Sequence, residues 1–254
     1  MHSIDQKKAA FERLLNIMDE LREKCPWDMK QTIQSLRNLT IEEVYELADA
    51  ITEQDWGEIK EELGDIMLHV VFYSRIASEQ NRFSVADVLN AVCDKLIERH
   101  PHIYGDIEVS GEEEVKKNWE QLKLKGGKKG VLSGVPNSLP ALVKAYRMQE
   151  KTAQVGFEWD NKEQVWEKVR EELEEFRESI CESDSRKEEE FGDLLFSLVN
   201  YARFEGIDPE SALARINYKF KKRFEYIEKM ADRPLSDMTL EEMDALWNEA
   251  KLEK

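Results

Sequence analysis

The chain has 254 residues, 36% of them charged, and a formal net charge of −17. This acidic balance argues against a nucleic-acid backbone or an anionic membrane surface as the main partner, because both require a basic face. The low content of glycine (11) and proline (6) is typical of a helical protein. No signal-peptide pattern opens the chain and no apolar run reaches about 18 residues, so we expect a cytoplasmic protein without membrane segments.

The first half of the chain predicts four helices. Apolar residues at helical spacing place them over 3–24, 41–52, 58–78 and 85–99. Pro26 ends the first helix. Thr40 followed by Glu43 forms a capping-box pattern that predicts the start of the second, and Ser84 is the N-cap expected for the fourth.

The third helix is apolar on nearly all sides. At about 100° per residue its polar side chains fall on one narrow stripe, formed by Glu62, Asp65, His69 and Tyr73. Such a pattern predicts a buried helix. Carboxylates carried into the interior are costly, so they require a cation, a basic side chain or loss of ionisation.

The composition changes between Tyr104 and Asn137. This stretch holds six glycines and a basic run at 123–129, which indicates a connection between two domains. We therefore predict an N-terminal domain over 1–104, a linker over 105–137 and a C-terminal domain over 138–254.

Acidic motifs of the first half return in the second half in the same order. The pattern Glu-Glu-x-x-Glu followed by Glu-x-x-Asp occurs at Glu42, Glu43, Glu46, Glu62 and Asp65, and again at Glu171, Glu172, Glu175, Glu190 and Asp193. Trp27-Asp28 likewise has a counterpart in Trp159-Asp160, and the basic pair Lys95 and Arg99 has one in Lys219 and Arg223. Two copies of one helical domain explain this order.

Each copy predicts a carboxylate cluster. Acidic residues three or four positions apart share a helix face, so two antiparallel helices bring four carboxylates into one pocket. All-oxygen anionic clusters select hard cations, and Mg²⁺ is the expected occupant, with Mn²⁺ as a substitute. The competing interpretation is an ordinary solvated face. It is favoured for the Glu-Glu pairs taken alone, and disfavoured for Glu62, Asp65, Glu190 and Asp193 because their neighbours are apolar.

Two further sets of residues allow more than one interpretation. The basic pairs Lys95 with Arg99 and Lys219 with Arg223 are either surface charges or a phosphate clamp, and their repeated i, i+4 spacing slightly favours the clamp. Trp27 and Trp159 are expected to be structural plugs rather than platforms on which a base stacks.

The double, ordered set of acidic motifs resembles the MazG family of nucleoside triphosphate pyrophosphohydrolases. The resemblance covers essentially the whole chain and includes Lys24-Cys25-Pro26-Trp27-Asp28, Glu98-Arg99-His100-Pro101-His102 and Val155-Gly156-Phe157-x-Trp159. It implies an all-α fold of two tandem MazG-like domains, each with a four-helix-type core. It also implies a homodimer and Mg²⁺-dependent hydrolysis of nucleoside triphosphates to the monophosphate and diphosphate.

The same resemblance implies site residues. In the second copy the metal ligands would be Glu172, Glu175, Glu190 and Asp193, with Lys219 and Arg223 near the triphosphate and Trp247 near the nucleoside. The corresponding candidates of the first copy are Glu43, Glu46, Glu62 and Asp65 for metal, and Lys95 and Arg99 for substrate. We expect Glu171 or Glu172 to orient or deprotonate the attacking water, and we expect the C-terminal site to be the catalytic one.

Other functions fit the same residues. One is a related all-α pyrophosphohydrolase specific for dUTP, phosphoribosyl-ATP or an alarmone. Another is a non-catalytic helical scaffold whose acids bind Mg²⁺ only for stability. Nucleic-acid binding would rest only on the basic run at 123–129.

Overall fold

The computed structural model describes residues 2–107, 109–111, 114–115 and 130–252, and these residues contain helices and no strand. The all-α prediction is confirmed. The helices with described bounds are α1 (Ile4–Lys24), α2 (Ile33–Glu53), α3 (Trp56–Glu79), α4 (Val85–Arg99), α5 (Pro101–Tyr104), α6 (Ala141–Ala153), α7 (Lys162–Ser179), α8 (Asp184–Phe204), α9 (Pro209–Met230) and α10 (Leu240–Ala250).

The chain divides into two compact units, Met1–Trp119 and Glu120–Lys254. The predicted basic run at 123–129 lies outside the described residues. The domain and linker boundaries given above therefore stay a prediction.

The first unit is built around the pairing of α2 with α3. Its buried core contains Met18 from α1, Leu36 from α2 and Phe72 from α3, each no more than 2% exposed. The Tyr73 hydroxyl lies 2.7 Å from the Thr40 hydroxyl and ties the two paired helices together. Acidic residues of α2 and α3 therefore face each other across the helix pair.

The start of α2 differs from the prediction. Thr32, not Thr40, is the N-cap, and its hydroxyl accepts a hydrogen bond from the Ser35 backbone N–H. The Thr40 hydroxyl instead donates to the Leu36 carbonyl within the helix. The sequence predicts Thr40 as the N-cap because Thr40 followed by Glu43 satisfies the capping-box rule. Thr32 instead forms its capping box with a serine, Ser35.

The second unit repeats the arrangement with α7 and α8. Residues 180–183 join these helices, and so short a connection makes them antiparallel neighbours. Asn161 caps α7 and Ser183 caps α8. Val165 of α7 and Val199 of α8 are buried between the packed elements.

The prediction that the acidic helix is buried on nearly all sides is wrong for the chain taken alone. In α3, Leu63 is 53% exposed and Met67 is 44% exposed. In α8, Phe191 is 47% exposed and Leu195 is 40% exposed. One face of each helix packs in its own unit, and the opposite apolar face has no cover among the described residues of that unit.

None of the described helices is both long enough and apolar enough to cross a bilayer.

Candidate functional site

In the second unit, α7 and α8 bring the predicted acids into one cluster. Carboxylate oxygens of Glu171, Glu172 and Glu175 lie within 4.8 Å of one another, and so do those of Glu172, Glu190 and Asp193. Glu172 belongs to both groups. It is 6% exposed and Glu190 is 3% exposed, whereas the other three acids are solvent-exposed. The cluster therefore has a buried floor and an open rim.

Two basic side chains that were not among the predicted site residues contact the buried acids. Lys168 Nζ lies 2.6 Å from Oε1 of Glu171 and 2.6 Å from Oε1 of Glu172. Arg186 Nη2 lies 2.5 Å from Oε1 of Glu190. These pairs are three or four residues apart on one helix, a spacing that would have revealed them in the sequence.

The second carboxylate oxygen of each buried acid takes part in no hydrogen bond among the described residues. Oε2 of Glu172 and Oε2 of Glu190 are buried and have no hydrogen-bond partner. A buried charged oxygen without a partner is costly, so native structures rarely contain one that nothing binds. Because carboxylate oxygens of Glu172, Glu190 and Asp193 lie close together, these residues form a donor set that fits a hard divalent cation.

The electrostatics of the cluster show surplus negative charge. Burial raises the pKa of the Glu190 carboxyl; Arg186 opposes the rise, while Glu175, Asp193 and Glu172 add to it. Hydrogen bonds to Glu171 and Glu172 raise the pKa of Lys168, so this lysine stays charged. A proton and a metal ion therefore compete for the same oxygens.

The first unit holds a smaller cluster. Glu43, Glu62 and Asp65 are half-buried, and their oxygens lie within 4.8 Å of one another. Burial, followed by neighbouring carboxylates, raises the pKa of both Glu43 and Glu62. Oε2 of Glu62 is buried without a partner. Glu46 is exposed and outside this trio, so its role as a ligand stays a prediction.

The first cluster differs from the second in the basic side chains around it. The position of Lys168, four residues before Glu172, is held by Leu39 in the first unit, four residues before Glu43. The position of Arg186 is held by Glu58. Within the part of the chain that the structure describes, no lysine or arginine pairs with the first trio. The acids of the first unit thus lack the basic partners of the second.

The structure places the predicted basic residues on helices separate from the acids. The guanidinium of Arg223 lies 5.4 Å from the ring centre of Trp247, so these two predicted substrate residues are side by side. Lys219 is exposed on α9. Among the described residues, no hydrogen bond or ion pair joins Lys219 or Arg223 to the acidic cluster.

On α4, Lys95 is exposed and Arg99 is half-buried in the last turn. The substrate-binding roles of all five residues stay predictions.

A cavity of about 490 Å³ opens beside the acidic cluster of the second unit. Glu172, Asp193 and Lys168 line it toward the cluster, and Trp159 lines it elsewhere. Trp159 is 43% exposed and Trp27 is 56% exposed. The expectation that these tryptophans are structural plugs is therefore wrong, because neither ring is enclosed by the core.

Comparisons with known proteins agree with the repeat. Residues 31–104 and residues 160–233 both match the family described as the MazG nucleotide pyrophosphohydrolase domain. A nucleoside triphosphate pyrophosphohydrolase/pyrophosphatase MazG from Thermotoga maritima is 46% identical over 250 residues, which are 95% of this chain and 95% of that protein.

Two further relatives match the same share of this chain. A nucleoside triphosphate pyrophosphohydrolase of Escherichia coli is 39% identical over 255 residues, covering 95% of this chain and 97% of that protein. The uncharacterized protein YabN of Bacillus subtilis is 45% identical over 251 residues, covering 95% of this chain and 51% of that protein.

Proposed function

Since this chain belongs to the MazG nucleotide pyrophosphohydrolase family, we propose that it hydrolyses a nucleoside triphosphate and water to the monophosphate and diphosphate at the acidic cluster of the second unit. The observation that carries the proposal is the pair of buried, unpartnered oxygens on Glu172 and Glu190. Such oxygens need a cation, and a bound cation attracts a polyphosphate.

We assign Mg²⁺ as the cation, with Mn²⁺ as a substitute, and Glu172, Glu175, Glu190 and Asp193 as the residues that would hold it. Their donor atoms are all oxygens, the ligands that hard cations prefer. When bound, a divalent ion offsets the charge of the triphosphate and makes its phosphorus more electrophilic.

Glu171 is the residue that we assign to the attacking water. It is exposed and adjacent to Glu172, so solvent reaches it. Lys168 holds one of its oxygens, which fixes the carboxylate and leaves the other oxygen to accept a proton from water. Glu172 is the weaker candidate for this role, because its burial and its unpartnered oxygen suit a ligand better.

Lys219 and Arg223 are assigned to the triphosphate and Trp247 to the nucleoside, as the family resemblance implies. The contact between the Arg223 guanidinium and the Trp247 ring supports joint action of these two residues, because it fixes the direction of a long cationic side chain. Lys95 and Arg99 would bind phosphate groups in the first unit.

The exposed apolar faces of the paired helices support a homodimer. Trp166 and Leu173 of α7 are 43% and 46% exposed, and Leu195 and Leu198 of α8 are both 40% exposed. Apolar surface exposed along a helix face marks an interaction site in soluble proteins. A second copy of the chain offers the same surface, which is the basis of a two-fold symmetric interface.

The deciding experiment is incubation of the purified chain with each common nucleoside triphosphate and Mg²⁺, followed by phosphorus NMR of the products. We expect diphosphate and the monophosphate, and release of orthophosphate alone would contradict the proposal. Hydrolysis in ¹⁸O-labelled water then identifies the attacked phosphorus. A melting temperature that Mg²⁺ raises without any turnover would favour the scaffold alternative instead.

A further inference from the structure

We propose that the cavity of the second unit binds the nucleobase of the substrate through Gln149 and Asn200, and that side chains of the first unit fill the corresponding space and exclude a nucleoside. This inference rests on the proposed function, because it assigns the base of the same substrate. Trp247 is not among the residues that line the cavity, so it would lie near the sugar of the nucleoside.

The cavity has the size and the position for a base. Its volume of about 490 Å³ falls in the range of about 300–1,000 Å³ that small-molecule sites occupy. The acids Glu172 and Asp193 lie on its wall, so a phosphate chain at the cluster and a base in the cavity are compatible. Phe157 and Trp159 also line it, and exposed aromatic rings stack on bases of every kind.

Gln149 presents a buried acceptor. Its side chain is 93% buried, since its exposed fraction is 7%, and it lines the cavity. Its Nε2 donates to the Phe196 carbonyl at 2.8 Å. Because a carbonyl oxygen accepts and does not donate, this bond fixes which end of the amide carries the oxygen. Oε1 is left buried without a partner, and an N–H or amino group of a base would satisfy it.

Asn200 presents the complementary donor. Its Oδ1 accepts from Arg203 Nη2 at 3.0 Å and from Nε at 3.3 Å. These bonds fix the orientation of the amide, so that its NH₂ group remains to donate. Every nucleobase carries both donors and acceptors on its edge, so one acceptor and one donor in a single cavity match the chemistry of a base.

At two of the positions that line this cavity, the first unit has large apolar side chains. Phe72 follows Asp65 by seven residues, as Asn200 follows Asp193. The Phe72 ring is 2% exposed and belongs to the hydrophobic core, against which Leu39 packs. Leu39 stands at the position of Lys168, which lines the cavity in the second unit. Large apolar side chains therefore occupy in the first unit the positions that are polar and open in the second.

His69 extends the same contrast. It follows Asp65 by four residues, as the cavity residue Ser197 follows Asp193. His69 is 7% exposed, and its imidazole ring occupies more space than the serine hydroxyl. The first unit thus keeps acids that could hold a cation, without room for a nucleoside beside them.

The test copies the residue of the first unit into the second. We expect Asn200→Phe to raise KM for every nucleoside triphosphate by about tenfold or more, because a buried ring added to a fitted site costs at least that much in affinity. Calorimetry with AMP should show the same loss of affinity, while Mn²⁺ affinity measured by electron paramagnetic resonance should stay unchanged. The matched control is Asn90→Phe, the same replacement at an exposed position of α4.

A second variant protects the test against a folding failure. Gln149→Leu keeps the volume and removes the acceptor, and we expect AMP affinity to fall about three- to tenfold. Unchanged KM and unchanged AMP affinity in folded variants would overturn the inference, as would an equal loss of Mn²⁺ affinity. If the wild type released no diphosphate while it bound AMP in this Asn200-dependent way, the proposed function would fail and the cavity assignment would stand.

Discussion

The ammonium nitrogen of Lys168 lies 2.6 Å from Oε1 of the buried Glu172, one turn further along the same helix. This ion pair uses one oxygen of Glu172 and leaves Oε2 buried without a partner. The two oxygens of one carboxylate thus have separate tasks. Oε1 is held by the protein, which fixes the carboxylate, and Oε2 remains for a cation.

Loss of this lysine should destabilise the metal-free protein. Lys168→Met removes the partner of a buried carboxylate, and we expect the free energy of unfolding in EDTA to fall by about 1–3 kcal/mol. Mg²⁺ should recover part of the loss, because a cation then neutralises the same group. Urea titrations with and without Mg²⁺ measure both quantities. Equal destabilisation in both conditions would show that Lys168 and the metal do not share Glu172.

Glu190→Gln should abolish most of the catalytic activity. It exchanges a buried anionic oxygen for an amide, and changes to residues that only support metal ligands already cost about 10–100-fold. We expect diphosphate release to fall by more than about 100-fold, and Mn²⁺ affinity to fall with it. Glu12→Gln, the same replacement at an exposed position of α1, is the control.

A matching variant of the first unit tests which cluster carries the activity. Glu62→Gln changes the corresponding acid of the first cluster. If it abolished diphosphate release while Glu190→Gln did not, the assignment of catalysis to the second unit would be wrong.

The stability of the first cluster should decrease as the pH rises. The pKa of Glu62 is raised by burial and by Glu46 and Glu43, so the folded state holds its proton more tightly than the unfolded chain does. Its favourable contribution is complete below the ordinary glutamate pKa of about 4.3 and is lost as the pH rises through the raised value. In EDTA, the melting temperature of the wild type relative to Glu62→Gln should therefore fall as the pH rises above the ordinary glutamate pKa of about 4.3. A difference that grows with pH would contradict the sign.

A charge on the exposed apolar face of α8 should dissociate the proposed dimer. Leu195→Glu places a carboxylate at a position that is 40% exposed in the single chain, and a desolvated unpaired charge is costly at an interface. Light scattering coupled to gel filtration should show half the mass of the wild type. Leu240→Glu, at a residue that is 76% exposed on α10, should leave the mass unchanged. A monomeric wild type would refute the proposed dimer directly.

Much of the fold and the acid cluster follows from spacing along the chain. Residues three or four apart share a helix face whatever surrounds them, so Glu172 with Glu175 and Glu190 with Asp193 could be placed from the sequence. The burial of the acidic helices could not be predicted in the same way. A helix with apolar residues all round predicts that all its faces are covered, but Leu63 and Leu195 are exposed among the described residues.

The cavity could not be predicted from helix periodicity. It depends on the volume that a few side chains leave in the second unit, where Asn200 and Ser197 stand in place of Phe72 and His69. Aligned repeats reveal such differences as substitutions, but only the packing shows whether neighbouring side chains close the space. For the same reason Trp159 looked like a core residue in the sequence and lies at the cavity in the structure.

The filled centre of the first unit has a thermodynamic consequence for the duplicated chain. Emptying a buried phenylalanine site costs about 3–5 kcal/mol in a typical core, and the second unit has Asn200 where the first has the buried ring of Phe72. The copy that gives up this packing should melt at the lower temperature in a calorimetric scan. Occupation of the cavity by a nucleotide should then narrow the interval between the two melting events.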